Sequence, residues 1–159
     1  MKPTKTTRVT GIAGLTRLSL FAVLALVAGA VQALEFRSVK DTGVAFYDSP
    51  SLAGRKLFLV SRYYPVEVLT RQNEWARIRD ASGAIAWVQY ASLSPTRTVV
   101  VTAPEAVIRT SPDVKSSVSF KATRDVALQL LEPPKSGWVK VRHRDGVSGY
   151  APLAALWGL

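Results

Sequence analysis

No cysteine occurs in the 159 residues. That absence removes thiol nucleophiles, thiolate metal sites, a lipid-modified N-terminal cysteine and every disulfide framework. Histidine is scarce as well, since His143 stands alone. A hydrolytic zinc site needs three protein ligands, usually several of them His, so one imidazole cannot supply the shell. None of the serines sits in a Gly-x-Ser-x-Gly elbow. With these parts missing, no catalytic constellation, no metal and no cofactor are expected.

Acids are also missing from the N-terminus. Residues 1–17, MKPTKTTRVTGIAGLTR, carry Lys2, Lys5, Arg8 and Arg17 without an Asp or Glu, and the apolar LSLFAVLALVAGAV follows. A cationic segment, an apolar run and small residues before a cut make a secretory signal. Val31-Gln32-Ala33 offers cleavage at Ala33, and Ala28-Gly29-Ala30 offers a second site, so the mature chain starts at Leu34 or Val31. Residues 1–33 are thus expected to form a signal helix. The alternative is an uncleaved membrane anchor, because a bilayer span takes about 20 apolar residues and residues 18–34 are broken only by Ser19 and Gln32. Export places the mature chain in the periplasm or outside the cell, with membrane contact only if the signal stays uncut. An exported chain without disulfides must rely on its own core, which favours well-packed β structure.

The leader also distorts the charge. Four of the 21 Lys and Arg lie in it, which leaves 17 against all 11 acids and turns a net +10 into +6. Residues 35–93 hold 8 basic and 6 acidic groups (+2), and residues 94–159 hold 9 and 5 (+4). A field of this size, on an exported chain, argues against nucleic acid. The more basic second half is the better match for an anionic partner such as a cell-wall polymer, an acidic peptide or lipid head groups.

What the chain does contain is itself, twice. NEWARIRDASGAIAWVQYASL, from Asn73, aligns without gaps on SGWVKVRHRDGVSGYAPLAAL, from Ser136. Trp75 falls on Trp138, Ile78 on Val141, Gly83 on Gly146, Trp87 on Tyr150 and Leu93 on Leu156, each 63 positions apart. Upstream, VAFYDSPS falls on AVIRTSPD at an offset of 62, so one residue is inserted in between. Segments such as VAFY, VEVL, ARIR and VALQLL are short, rich in β-branched or aromatic residues, and bounded by Pro, Gly, Asn, Asp or Ser. Amphipathic helical periods are absent after the leader, so the mature chain reads as all-β. SPTRT, residues 94–98, is a tight polar linker between the repeats.

AVIRTSPD, a strand-rich middle ending in VAL, then GWVKVRHRDGVSGY and a closing Leu156 resemble the bacterial SH3-like (SH3b) family. The first repeat departs from that pattern, with Tyr47 in place of Arg after the first strand. It also carries Asp80-Ala81-Ser82-Gly83 as a longer route to the glycine. The resemblance implies two tandem small SH3-like β-barrels of about five strands, residues 34–94 and 98–159. It further implies a non-enzymatic binding module that holds peptide or cell-wall (peptidoglycan) material. The alternative is a scaffold or assembly protein that docks to another envelope protein, or to a second copy, through exposed strand edges.

Within each repeat, alternation along a strand separates core from surface. Ala76, Ile78, Val139 and Val141 are expected inward. Trp75, Arg77 and Arg79, and likewise Trp138, Lys140 and Arg142, are expected outward as a row of cations beside an indole, and Trp87 and Tyr150 follow at equivalent places. These eight residues are the candidate ligand contacts, with Tyr47, Tyr63, Tyr64 and Tyr90 framing grooves. Two readings of the rings stand side by side: lids over the core, or platforms for a ligand. The cations are either solvated strand faces or partners for carboxylates. Arg109 is read as a brace for the turn at Ser111-Pro112. His143, matched by Asp80 in the first repeat, is read as a partly buried residue without a catalytic role. Arg144-Asp145-Gly146-Val147 is expected to form a two-residue hairpin turn, and Gly149 to let the strand bend.

Overall fold

In Trp75–Arg79 and Trp138–Arg142 every second side chain is buried: Ala76 and Ile78 in one, Val139 and Val141 in the other. The same two-residue period recurs in Ile85–Gln89, Glu105–Arg109 and Ser148–Pro152, within an all-β protein. The computed structural model describes residues 34–159 together with Met1. The expected signal helix and the cut at Ala33 lie outside the described residues. Among the described residues no helix is long and apolar enough to cross a membrane.

Two seven-stranded sheets follow one another. The first holds β1 (Glu35–Val39), β2 (Val44–Tyr47), β3 (Lys56–Val60), β4 (Pro65–Gln72), β5 (Trp75–Arg79), β6 (Ile85–Gln89) and β7 (Leu93–Ser94). The second holds β8 (Thr98–Val101), β9 (Glu105–Arg109), β10 (Val118–Thr123), β11 (Ala127–Leu130), β12 (Trp138–Arg142), β13 (Ser148–Pro152) and β14 (Leu156–Trp157). Strand order is β3-β2-β6-β5-β4-β1-β7 in one and β10-β9-β13-β12-β11-β8-β14 in the other, the same path traced twice. Seven strands rather than five arise because the opening strand of each unit pairs on both sides. β1 meets β4 and the two-residue β7, and β8 meets β11 and β14.

Each sheet curls around its own core. Val39, Phe46, Val66, Ile78 and Val88 fill the first, and Val101, Ile108, Leu128, Val139 and Val141 the second. At about 25 cal/mol per Å2 of buried apolar area, packing of this kind is the main stabilising contribution in a chain with no disulfide. The two units also touch. Phe36 and Trp157 meet edge to face at 5.2 Å, the linker residue Arg97 lies 5.4 Å over the Phe36 ring and donates to the Gly158 carbonyl at 3.0 Å, and the Thr98 hydroxyl donates to the Tyr63 carbonyl at 2.8 Å.

The hairpin turn differs from the sequence expectation. The His143 N–H donates to Val147 and the Gly146 N–H to His143, at 2.8 and 2.9 Å, and only Gly146 is left-handed, with φ +96°. That is a three-residue loop, a type I turn followed by a glycine bulge. The first repeat uses the same loop, with Asp80 bonded to Ala84 and Gly83 to Asp80, both at 3.0 Å, and Gly83 at φ +87°. Asp80-Ala81-Ser82-Gly83 is therefore no longer than its counterpart. Gly149 is required by proximity: a Cβ there would lie 2.6 Å from the Arg109 carbonyl oxygen, where β13 meets β9.

Candidate functional site

The one-residue difference between repeats falls where the surfaces diverge. In the first, β4 continues for eight residues and Thr70, Arg71 and Gln72 pair with Arg77, Ala76 and Trp75. In the second, β11 stops at Leu130, and Glu132-Pro133-Pro134-Lys135 follows. Proline has no N–H to give a ladder. The segment therefore leaves the sheet and rejoins it only through the bridge between Lys135 and Trp138.

That departure opens a cleft of about 310 Å3 beside β12 and β13. Trp138, Tyr150, Pro112 and Pro133 give it apolar walls, and Glu132, Lys135 and Lys140 give it charge. Its volume is at the lower end of sites for small ligands. Lys140 pairs across the strands with Tyr150, its ammonium lies 5.8 Å from that ring's centre, and it donates to Glu132 at 2.8 Å. The Glu132 carboxylate raises the Lys140 pKa above the usual lysine value, so the ammonium stays charged. The cleft thus offers an indole and a phenol as flat apolar surfaces, with one carboxylate and one ammonium already paired at its edge. A ligand carrying either charge can exchange with that exposed pair at little cost.

At the equivalent place in the first repeat the wall is filled. Tyr47, in the position of Arg109, is only 7% exposed, meets Trp75 edge to face at 5.3 Å and pairs with Trp87. It frames no open groove, contrary to the sequence expectation, because its ring takes up the space beside Trp75. Arg109 in the second repeat turns elsewhere and donates to the Ser116 carbonyl at 2.6 Å, holding the loop that carries Ser111 and Pro112.

The eight candidate contacts therefore separate. Trp138, Lys140 and Tyr150 come together in the cleft. Arg142 is on the same strand but lines a different hollow, with Tyr63, Gln129 and Arg144. Trp75 and Trp87 sit with Tyr47 on the first unit, and Arg77 is exposed across from Trp87. Arg79 is held by Glu67, at 3.0 Å in a salt bridge whose carboxylate side chain is 8% exposed. Its guanidinium is committed to the fold. Tyr64 packs on the first core, and Tyr90 lies under the Arg71 guanidinium at 3.5 Å.

Sequence reasoning missed Pro112, Glu132, Pro133, Lys135 and Ser136 as cleft residues. The signal was present in the Pro133-Pro134 pair beside the inserted residue. His143 is partly buried, bonded to Asp145 at 2.9 Å and packed near Phe120. Hydrogen bonding by the Val147 N–H and by His143 lowers the Asp145 pKa. Among the described residues no three His, Asp or Glu side chains converge as a metal shell would require.

The chain is thus a duplicated, strongly curved β-barrel with an aromatic cleft on its second copy. Residues 40–95 and 102–158 each match the bacterial SH3 domain family, and the chain belongs to that family. No curated protein matches the chain. Among solved structures it is similar to NlpC2 from Trichomonas vaginalis, at 21% identity over 79% of this chain and 48% of that one, TM-score 0.36. It is similar also to NlpC1 from the same organism, at 23% identity over 85% and 49%, TM-score 0.35. An NlpC/P60 family protein from Bacillus cereus matches at 12% identity over 77% and 56%, TM-score 0.32. The chain spans about half the length of these proteins.

Proposed function

We propose that the chain is an exported, non-enzymatic binding module of the cell envelope, in the periplasm or secreted, which holds peptide or peptidoglycan material in the cleft of its second barrel. The observation that carries this reading is the divergence of two otherwise equivalent surfaces. The Pro133-Pro134 departure opens a cleft beside Trp138 and Tyr150, whereas Tyr47 closes the matching space beside Trp75. Membership of a family whose modules commonly hold such material supports it. A flat sugar or peptide backbone would lie on the indole, and Lys140 would exchange Glu132 for a ligand carboxylate.

Cosedimentation with purified sacculi tests the proposal. Buried Trp anchors at interfaces commonly contribute about 2 kcal/mol or more, roughly 30-fold in affinity. Trp138→Ala should lose binding on that scale with the unfolding midpoint kept, and Trp75→Ala should bind as the parent does. Equal binding by Trp138→Ala would refute the cleft as the ligand site.

The second reading is a scaffold that docks another envelope protein. It draws on the edge strand β3, where Leu57, Phe58 and Leu59 are exposed beside Lys56. Absence of pelleting, with one protein crosslinked through β3, would favour it.

A further inference from the structure

Tyr63 adopts φ +71°. A bulky side chain in the left-handed region is strained, and glycine, Asn or Asp are the residues that tolerate it. The second repeat has Asp125 at the matching turn, with φ +67°, so the turn itself does not call for an aromatic. The Tyr63 ring is partly exposed and lies where the two barrels meet. Three adjoining hollows of about 110, 250 and 330 Å3 share it. Strain held at a residue that lines three hollows is a reason to ask what it positions.

Around that ring the fold brings three guanidiniums, one from the turn between β3 and β4 and two from the β12–β13 hairpin. Arg62 stacks on Tyr63 with its guanidinium carbon 4.7 Å from the ring centre. Arg142 ends β12, and Arg144 lies in the hairpin loop. Among the described residues none of the three side chains takes part in an ion pair. Gln129 adds an amide to the same hollows. Asp125 and Asp41 line the flanks, while Asp145 is engaged by His143. The field is therefore mixed: guanidiniums at the centre, the Asp125 carboxylate at one flank and Asp41 beside Lys40 at the other. A phosphate polymer would meet the Asp125 carboxylate at one flank. A short peptide with spaced carboxylates and a free amino group finds a partner for each of its charges, because guanidiniums take carboxylates in bidentate pairs.

We propose that the seam between the barrels is a second binding site, distinct from the Trp138 cleft, which takes a short carboxylate-bearing peptide on Arg62, Arg142 and Arg144 with Tyr63 as its floor. The site shares no lining residue with the cleft. It needs both repeats, which gives the close packing of the units a purpose beyond stability.

The test is calorimetric titration of the full chain with Ala-Glu-Ala carrying free termini, and with inorganic polyphosphate, in low salt. Arg142→Gln combined with Arg144→Gln should weaken tripeptide binding by about tenfold or more, the scale of losing charge-assisted hydrogen bonds. Tyr63→Asn should weaken it several-fold while the unfolding midpoint holds or rises, since Asn accepts the left-handed turn. Trp138→Ala should leave it unchanged, which separates this site from the proposed cleft. The proposal is overturned if the double Arg variant binds the tripeptide as the parent does. It is overturned also if polyphosphate binds more tightly than the tripeptide, or if Tyr63→Asn lowers the midpoint with binding intact, which would make Tyr63 a packing residue only.

Discussion

Gly149→Ala adds one methyl group and should destabilise the second barrel. The new Cβ would lie 2.6 Å from the Arg109 carbonyl oxygen, 2.7 Å from Ile108 Cγ2 and 3.1 Å from Ser119 Cβ. The first is backbone, and moving it disturbs the Tyr150–Arg109 pairing through which β13 closes on β9. Two effects oppose each other. Alanine narrows the unfolded ensemble and contributes about 0.4–1 kcal/mol of stability, while overpacking a closed core costs about 1–3 kcal/mol. The clash wins by about 1–2 kcal/mol, or about 4–16 °C in midpoint for a barrel of about 60 residues. The first repeat has Ala86 at the matching place, only 1% exposed. There the reverse change, Ala86→Gly, loses a buried methyl worth about 0.8 kcal/mol and adds about 0.5–1 kcal/mol of chain entropy. Opposite substitutions at equivalent positions should therefore both lower the midpoint in thermal or urea unfolding followed by tryptophan fluorescence. A Gly149→Ala protein as stable as its parent would refute the reasoning, since it would mean that β9 yields at no cost.

Arg79→Ala strands the nearly buried Glu67 carboxylate. Its partner is half exposed, so the cost falls between surface and buried pairs, about 1–2 kcal/mol. Denaturant unfolding should show that loss, with Glu67→Gln in the same background recovering part of it and ligand binding unmoved. Tyr64 provides a pH dependence. Burial of the ring, and then the Asp80 carboxylate, raise its phenol above the ordinary value of 10.0. The folded state holds the proton more tightly than the unfolded chain, so the contribution is complete below pH 10 and is lost as pH rises past it. The fall in midpoint between pH 9 and pH 11 should be larger for the parent than for Tyr64→Phe, and equal falls would contradict the assignment.

The core was legible because alternation is a local property. Ala76, Ile78, Val139 and Val141 point inward as a two-residue period demands, and VAFYDSPS aligned on AVIRTSPD sets Phe46 on Ile108, both of them core residues. Fold and duplication rest on such short-range signals. The cleft depends on how far a strand runs. Whether residues after Leu130 stay in the sheet is decided by two prolines and one inserted residue. A row of like residues in sequence could not show that Arg79 is spent on Glu67 while Arg142 stands free at the seam. Two residues of spacing put Lys140 and Arg142 on one face, yet the curvature of a small barrel turns that face into two separate sites.

The exchange of Tyr47 for Arg109 draws these differences together. Both occupy the end of the second strand of their unit, opposite Trp87 or Tyr150. A tyrosine there buries its ring against the neighbouring indole and stabilises the first barrel at the expense of any opening. An arginine cannot bury its guanidinium without partners, so it reaches out to the Ser116 carbonyl and leaves the space beside Trp138 unfilled. Tyr47→Arg in the first repeat should therefore free one edge of Trp75 and lower stability, because the edge-to-face contact is lost and nothing replaces it. It should not by itself create binding, since β4 still pairs through Gln72 and supplies no counterpart to the Glu132–Lys135 wall. Conversely, Arg109→Tyr should close the cleft from within and weaken sacculus binding while the second core stays intact. Retained binding by Arg109→Tyr would mean that the ligand lies outside the space Tyr47 fills in the first barrel.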